Sequence, residues 1–295
     1  MLLKIENLRV RFGNATVLDI RTPICIEEGD RIGIIGSNGA GKSTFIKSIL
    51  GLVPYHGTIR SNLMPEDIAT HMQFNEYTDN MAVKYIMEAV LQTKISKNKK
   101  LQNLIDDFDF SDCLKKRYSK LSGGQKQRFT IIMILMQDAP LTFYDEVTSG
   151  LDFETRQKLV EKLAEWYAGR DSSLCMVSHY YEELEQLADK LLILDEGKVI
   201  DYGGKEELFQ KYCGRSVLIL EACEQNERLV RDCRKLASPA HLLVLSCETE
   251  EMEEQTVSRL VRHNVNFKRS NNDIESIYCN ACNAKLAYRG ESYAD

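Results

Sequence analysis

Residues 2–30 alternate apolar and polar positions, interrupted at Gly13-Asn14 and Glu28-Gly29, the pattern of short antiparallel strands with one buried face. Residues 31–35 then form an apolar run, followed by a glycine-rich loop and a helix from Lys42 to Leu50 that stops at Gly51. This strand, loop and helix open an α/β unit. From Met81 to Lys116 the period is helical and the surface rich in Lys and Asp, which predicts a helical insertion. A helix with an apolar stripe is predicted over Gln125 to Gln137. Buried strands at Leu141 to Tyr144 and Leu174 to Ser178 flank an amphipathic helix over Glu154 to Ala168. A hairpin closes the unit at Leu191 to Leu194 and Lys198 to Asp201, across Glu196-Gly197. After residue 216 the pattern shifts to strand runs at Val217–Leu220, Leu242–Leu245 and Val265–Lys268, separated by polar helices. That order predicts a small βαβαβ-like unit ending in a helix. The chain thus divides into an α/β unit over residues 1–210 and a tail over 211–295, with the helical insertion at about 75–138.

The chemistry concentrates in a few segments. Gly36-Ser37-Asn38-Gly39-Ala40-Gly41-Lys42-Ser43-Thr44 has the spacing of a phosphate-binding loop, and it lies between a buried strand and a helix. Glycines let consecutive N–H groups point inward as an anion nest, and the positive end of the following helix adds to the field. Lys42 supplies a charge for the β and γ phosphates, and the Ser43 hydroxyl is a Mg²⁺ ligand candidate. Asp145-Glu146 ends a core strand. Asp145 can hold Mg²⁺, and Glu146 can orient or deprotonate an attacking water. A charged pair ending a strand in solvent is the alternative.

The segment Leu121-Ser122-Gly123-Gly124-Gln125-Lys126-Gln127-Arg128 resembles the signature sequence of the ATP-binding cassette (ABC) family. Ser122 can cap the helix that starts near Gln125, and Gly123 and Gly124 allow backbone N–H groups to approach an anion closely. The resemblance covers residues 1–210. It implies a RecA-like P-loop NTPase core, an antiparallel β subdomain and a helical subdomain, here with a C-terminal α/β unit. It also implies roles for single residues. Phe12 matches the aromatic that stacks on adenine, with a core strand residue as the alternative. Gln73 matches the glutamine that touches Mg²⁺ and connects to the helical insertion. Ser149 to Asp152 matches the loop that meets a partner subunit, and His179 the switch histidine at the γ phosphate. Two positions depart from the family pattern: Val147 stands where proline is usual, and Ser178 where threonine is usual. All residues the family uses to touch phosphate or metal are present, so the resemblance implies an active, Mg-dependent ATP hydrolase.

With one loop and one signature per chain, the resemblance implies a head-to-tail dimer with a second copy, bridged by ATP at two composite sites. The longest apolar run, Ile131 to Met136, is far short of the about 18 residues a membrane span requires. Met1 to Glu6 turns charged at once, so no secretory leader is expected. The resemblance therefore implies a separate transmembrane subunit, with this chain at the cytoplasmic face of the membrane and the insertion at 81–116 as coupling surface. A net charge of −6 argues against a broad nucleic-acid-binding face. Nine cysteines scattered along the chain are not a disulfide framework, and Cys279 and Cys282 read as neighbours on one helical face. The tail after Lys205 is similar to the short α/β tails of drug, antibiotic or peptide exporters. An import cassette, or a soluble cassette ATPase of the DNA-repair or translation type, is the alternative.

Overall fold

The computed structural model describes residues 1–72, 77 and 80–289. Strands β1 (Leu3–Phe12), β2 (Ala15–Ile20) and β3 (Ile24–Ile26) pair antiparallel. Their inward residues Leu3, Ile5, Leu8, Leu18 and Ile24 are buried. Strand β4 (Arg31–Ile35) begins a second sheet and leads through residues 36–41 into helix α1 (Lys42–Ile49). Strand β5 (His56–Ser61) returns to pair with β1, and β6 (Ile68–His71) crosses to the second sheet.

The helical insertion follows as α2 (Val83–Val90), α3 (Lys99–Asp107) and α4 (Gly123–Leu135). Helices α2 and α3 each bury one apolar face, whereas α4 is buried at every position from Phe129 to Leu135 and so has no single apolar stripe there. An aromatic cluster anchors it: the Phe129 ring lies 4.9 Å from Tyr77, 5.5 Å from Tyr118 and 6.1 Å from Phe110. Such pairs contribute about 0.5–1.5 kcal/mol each beyond the area they bury. Among the described residues of this region, an isolated bridge joins Ala82 and Arg117.

The chain then alternates strand and helix: β7 (Leu141–Asp145), α5 (Phe153–Tyr167), β8 (Ser173–Val177), α6 (Tyr181–Leu187), β9 (Lys190–Asp195), β10 (Lys198–Gly204) and α7 (Lys205–Cys213). The central sheet has the order β10-β9-β4-β8-β7-β6, parallel except for β10. Strands β7 and β8 are buried along their whole length, as parallel strands covered on both faces must be. The carboxyl ends of β4, β7 and β8 lie side by side, where ligands bind in open parallel sheets.

The tail comprises β11 (Ser216–Glu221), α8 (Glu224–Leu229), β12 (Lys235–Leu236), β13 (Leu242–Cys247), α9 (Glu250–Arg262), β14 (Phe267–Ser270) and α10 (Ile274–Arg289). Its sheet order is β12-β13-β11-β14 and every pairing is antiparallel. The two faces of this sheet have different partners. Val217 and Val244 join the large apolar cluster of the ATPase unit, together with Ile274, Ile277 and Ala281 of α10. Leu218, Leu220, Leu243 and Leu245 turn the other way and pack with Leu260 of α9. Helix α10 returns over the ATPase unit, with Lys285 Nζ 2.7 Å from Asp195 Oδ2 and the Tyr278 ring 6.3 Å from Tyr181.

Because Ile277 is fully buried in that shared cluster, Ile277→Ala is expected to cost about 2–5 kcal/mol. Urea unfolding followed by circular dichroism should show a lower midpoint with one transition rather than two. Two transitions would mean that the tail unfolds as a separate unit.

Candidate functional site

The loop between β4 and α1 is shaped by backbone packing. A Cβ on Gly36 would collide with the Leu194 carbonyl oxygen, and one on Gly41 (φ 98°) would collide with the Leu18 side chain. Gly41 occupies the N-cap of α1 in a left-handed conformation and offers no capping side chain, so the first N–H groups of the helix are left for a ligand. Lys42 Nζ donates to the carbonyl oxygens of Gly36, at 2.7 Å, and Ser37, at 3.0 Å. The ammonium thus already lies inside the curl of the loop. Burial pulls its pKa down, opposed by the charges of Glu146 and Asp145. Ser37, Asn38 and Gly39 are exposed at the rim, Ala40 is buried, and Ser43 and Thr44 open the helix.

Asp145 ends β7 and is buried, and its Oδ1 has no hydrogen-bond partner among the described residues. Burial raises the pKa of this carboxyl, while the neighbouring Ser43 hydroxyl and the Lys42 charge pull it down. A buried carboxylate oxygen without a donor, beside a hydroxyl and below a phosphate loop, suits a hard divalent cation. Among the described residues no group of three or more His, Cys, Asp or Glu side chains could hold a metal. Phosphate oxygens and water are the usual further donors to a nucleotide-bound Mg²⁺.

Glu146 adopts φ 53°, a left-handed conformation uncommon for glutamate, and its N–H donates to the Val177 carbonyl at 3.0 Å. The Glu146 Oε1 lies 2.9 Å from His179 Nε2, so the glutamate and histidine expected at the γ phosphate are in direct contact.

The signature segment is a helix cap. Ser122 Oγ accepts from the Gln125 N–H at 3.3 Å, and Gln125 Oε1 accepts from the Ser122 N–H at 3.1 Å, a reciprocal capping box. Helix α4 begins at Gly123, two residues earlier than the pattern predicts, because Gly123 and Gly124 form its first turn. Ser122 and Gly123 are exposed, and space is open where a Cβ on Gly123 would stand. Phe12 ends β1 with 49% of its surface exposed, which excludes a core position and leaves the ring available to a base. Gln73 lies outside the described residues. Asp152 caps α5 by accepting from the Thr155 N–H at 3.0 Å.

Several polar residues near the site carry no motif. His71, at the end of β6, is buried, and its Nε2 lies 3.0 Å from Gln127 Oε1 on α4. Glu183, on α6, is buried and accepts from Thr148 and Ser178. The Thr148–Glu183 and His71–Gln127 contacts join positions 35 and 56 residues apart, beyond any local pattern, whereas Ser178 is a near neighbour of Glu183 in sequence.

A parallel sheet whose first strand feeds a glycine cradle, with an acidic strand end beside it, defines a P-loop nucleotide-binding protein. The comparisons make the class narrower. The family model described as ABC transporter matches residues 21–149. The methionine import ATP-binding protein of Corynebacterium glutamicum is 33% identical over 66% of this chain and 59% of its own length. The linearmycin resistance ATP-binding protein of Bacillus subtilis is 27% identical over 80% of each chain. The Nod factor export ATP-binding protein I of Mesorhizobium japonicum is 30% identical over 74% of this chain and 68% of its own. Among solved structures, an ATP binding subunit of an ABC transporter superposes with a TM-score of 0.64 at 23% identity, over 72% of this chain and 93% of that one. The chain belongs to the ABC transporter ATP-binding family. It spans about three fifths of the length of the methionine import relatives it matches.

Gly36→Ala is expected to abolish binding of a fluorescent ATP analogue, because the added methyl meets backbone that cannot rotate away. Fluorescence anisotropy checks this, and unchanged affinity would contradict the cradle geometry.

Proposed function

We propose that the chain binds Mg-ATP in the loop at Gly36 to Thr44 and hydrolyses it as the nucleotide-binding subunit of an ABC transporter. The observation that carries this reading is the Glu146–His179 pair at 2.9 Å, at the end of β7 and coupled electrostatically to Lys42. In this reading the loop N–H groups and Lys42 hold the phosphates, and Phe12 stacks on the base. Ser43 and Asp145, with Gln73, hold Mg²⁺, which when bound neutralises phosphate oxygens. Glu146 receives the proton of the attacking water, and His179 keeps its carboxylate in place and faces the γ phosphate.

The exposed cap at Ser122 to Gln125 is well suited to a phosphate held by another chain. We therefore assign the functional unit to a head-to-tail dimer with a second copy, closed by ATP and loosened by hydrolysis. No described helix is long and apolar enough to cross a membrane. The pair would act on a separate transmembrane subunit, at the cytoplasmic face, through the helical insertion.

For direction, we favour export of an antibiotic, drug-like or peptide substrate. The tail is an antiparallel sheet with helices rather than an all-β extension. The match to the linearmycin resistance protein covers 80% of this chain, more than residues 1–210 can supply, and so takes in part of the tail. Import is the second reading, favoured by the 33% identity to a methionine import protein.

Glu146→Gln is expected to bind ATP with near-normal affinity while turnover falls at least about a hundredfold. The same variant with saturating Mg-ATP should elute as a dimer in light scattering. Near-normal phosphate release would remove Glu146 from its assigned role. Deleting the chain from its host should raise sensitivity to linearmycin or to peptide antibiotics if the direction is outward. A loss of radiolabelled methionine uptake instead would favour the import reading.

A further inference from the structure

The buried carboxylate of Glu183 is absent from the roles above, although it lies between the two loops that carry them. It sits in the first turn of α6, four residues after His179, and only 3% of the residue is exposed. Its Oε2 accepts from the Ser178 hydroxyl at 2.6 Å and the Thr148 hydroxyl at 2.9 Å. Ser178 directly precedes His179 and also accepts from the Tyr180 N–H at 3.0 Å, while Thr148 follows Glu146 by two residues. The other oxygen, Oε1, lies 3.5 Å from Arg156 Nε. Arg156 comes from α5 and is stacked 3.7 Å from the centre of the Tyr180 ring. Four segments therefore converge on one carboxylate: the loop after β7, the loop after β8, and helices α5 and α6.

We propose that Glu183 is a positioning residue, which holds the Glu146 loop and the His179 loop in one fixed arrangement through Thr148 and Ser178. The proposal rests on the ATPase reading only for its effect on turnover. A desolvated carboxylate is costly to keep unless its acceptor capacity is used and its charge is balanced. Here two hydroxyls bond Oε2 and Arg156 balances the charge beside Oε1, which has no hydrogen-bond partner among the described residues. Both hydroxyls are themselves buried, so neither has water as a substitute partner. Besides the carboxylate, the Glu146 N–H to Val177 bond and the Glu146–His179 contact join the two loops. The left-handed backbone at Glu146 makes that junction strained and dependent on outside support.

Misplacing a general base by about 1 Å can cost on the order of a hundredfold in rate while leaving substrate affinity intact. Glu183→Ala in the full chain should keep its affinity for a fluorescent ATP analogue within about twofold and lose on the order of tenfold to a hundredfold in kcat. Glu183→Gln, whose amide oxygen can accept from both hydroxyls in place of Oε2 but leaves Arg156 without a charge partner there, should recover part of the rate. Thr148→Val removes one of the two hydroxyl bonds at nearly constant volume and should fall between wild type and Glu183→Ala. The direct readout is the imidazole nitrogen resonances of His179 in nucleotide-free protein, assigned with His179→Ala. They should move in Glu183→Ala and less in Thr148→Val. Unchanged His179 resonances in a folded Glu183→Ala protein would overturn the proposal, as would turnover within about twofold of wild type. If Glu183→Ala does not fold, Glu183→Gln and Thr148→Val decide by the same measures. If the wild-type chain hydrolyses no ATP, the ATPase reading fails, and the His179 resonances still decide whether Glu183 positions that loop.

Discussion

The phosphate loop keeps its curl because backbone presses against it at two points. The Leu194 carbonyl of β9 occupies the space where a side chain on residue 36 would stand, and the Gly197 N–H donates to the Ala40 carbonyl at 3.2 Å. Gly197 in turn accepts from the Asp19 N–H at 2.8 Å. The hairpin of β9 and β10 is therefore wedged between the antiparallel sheet and the loop. A nest of N–H groups works only if its members stay convergent without a ligand, and this packing supplies that preorganisation. Lys285 of α10 ties down the same hairpin through Asp195, so the tail reaches the phosphate loop through two rigid steps.

Electrostatics follow from this geometry. Lys42 and Asp145 are both desolvated, and burial shifts each toward its neutral form. Neither is fully compensated by the protein. Lys42 is bonded to carbonyl dipoles that phosphate oxygens can replace, and one oxygen of Asp145 has no described donor. A triphosphate with a divalent ion would satisfy both at once. The cost of keeping two charges buried is thus converted into affinity for a ligand of alternating charge.

Much of the site is legible in the sequence because its parts are local. The phosphate loop, the Ser122 cap and the Asp145-Glu146 strand end each occupy a single contiguous segment with a fixed backbone requirement, and each is found where its pattern predicts. The start of α4 differs by two residues, since a Gly-Gly pair reads as loop although a capping box holds it as helix. The tail shows the opposite limit. Its strand positions are legible from apolar runs, but those runs do not record pairing direction, and the two-residue strand β12 is too short to leave a pattern. Glu183 and His71 were invisible for a related reason. A lone Glu in an acidic helix and a lone His at a strand end acquire meaning only from partners on distant segments.

His71 shows what such a distant contact does. Burial lowers its pKa, so the ring is neutral, and a neutral ring facing the Gln127 carbonyl oxygen must donate from Nε2. That fixed tautomer makes the contact a strut between the edge strand β6 and the helix that Ser122 caps. Protonation would place a charge in a desolvated pocket, so the strut holds across the physiological range. It lies one turn from the cap in helix α4 and at the end of the strand that leads to Gln73. A displacement of the signature helix would therefore be felt first at His71, next to the strand end carrying Asp145. Coupling between the two half-sites of a dimer would need a stiff path of this kind, because a side chain free to choose partners would absorb the motion before it reached the strand that ends in Asp145.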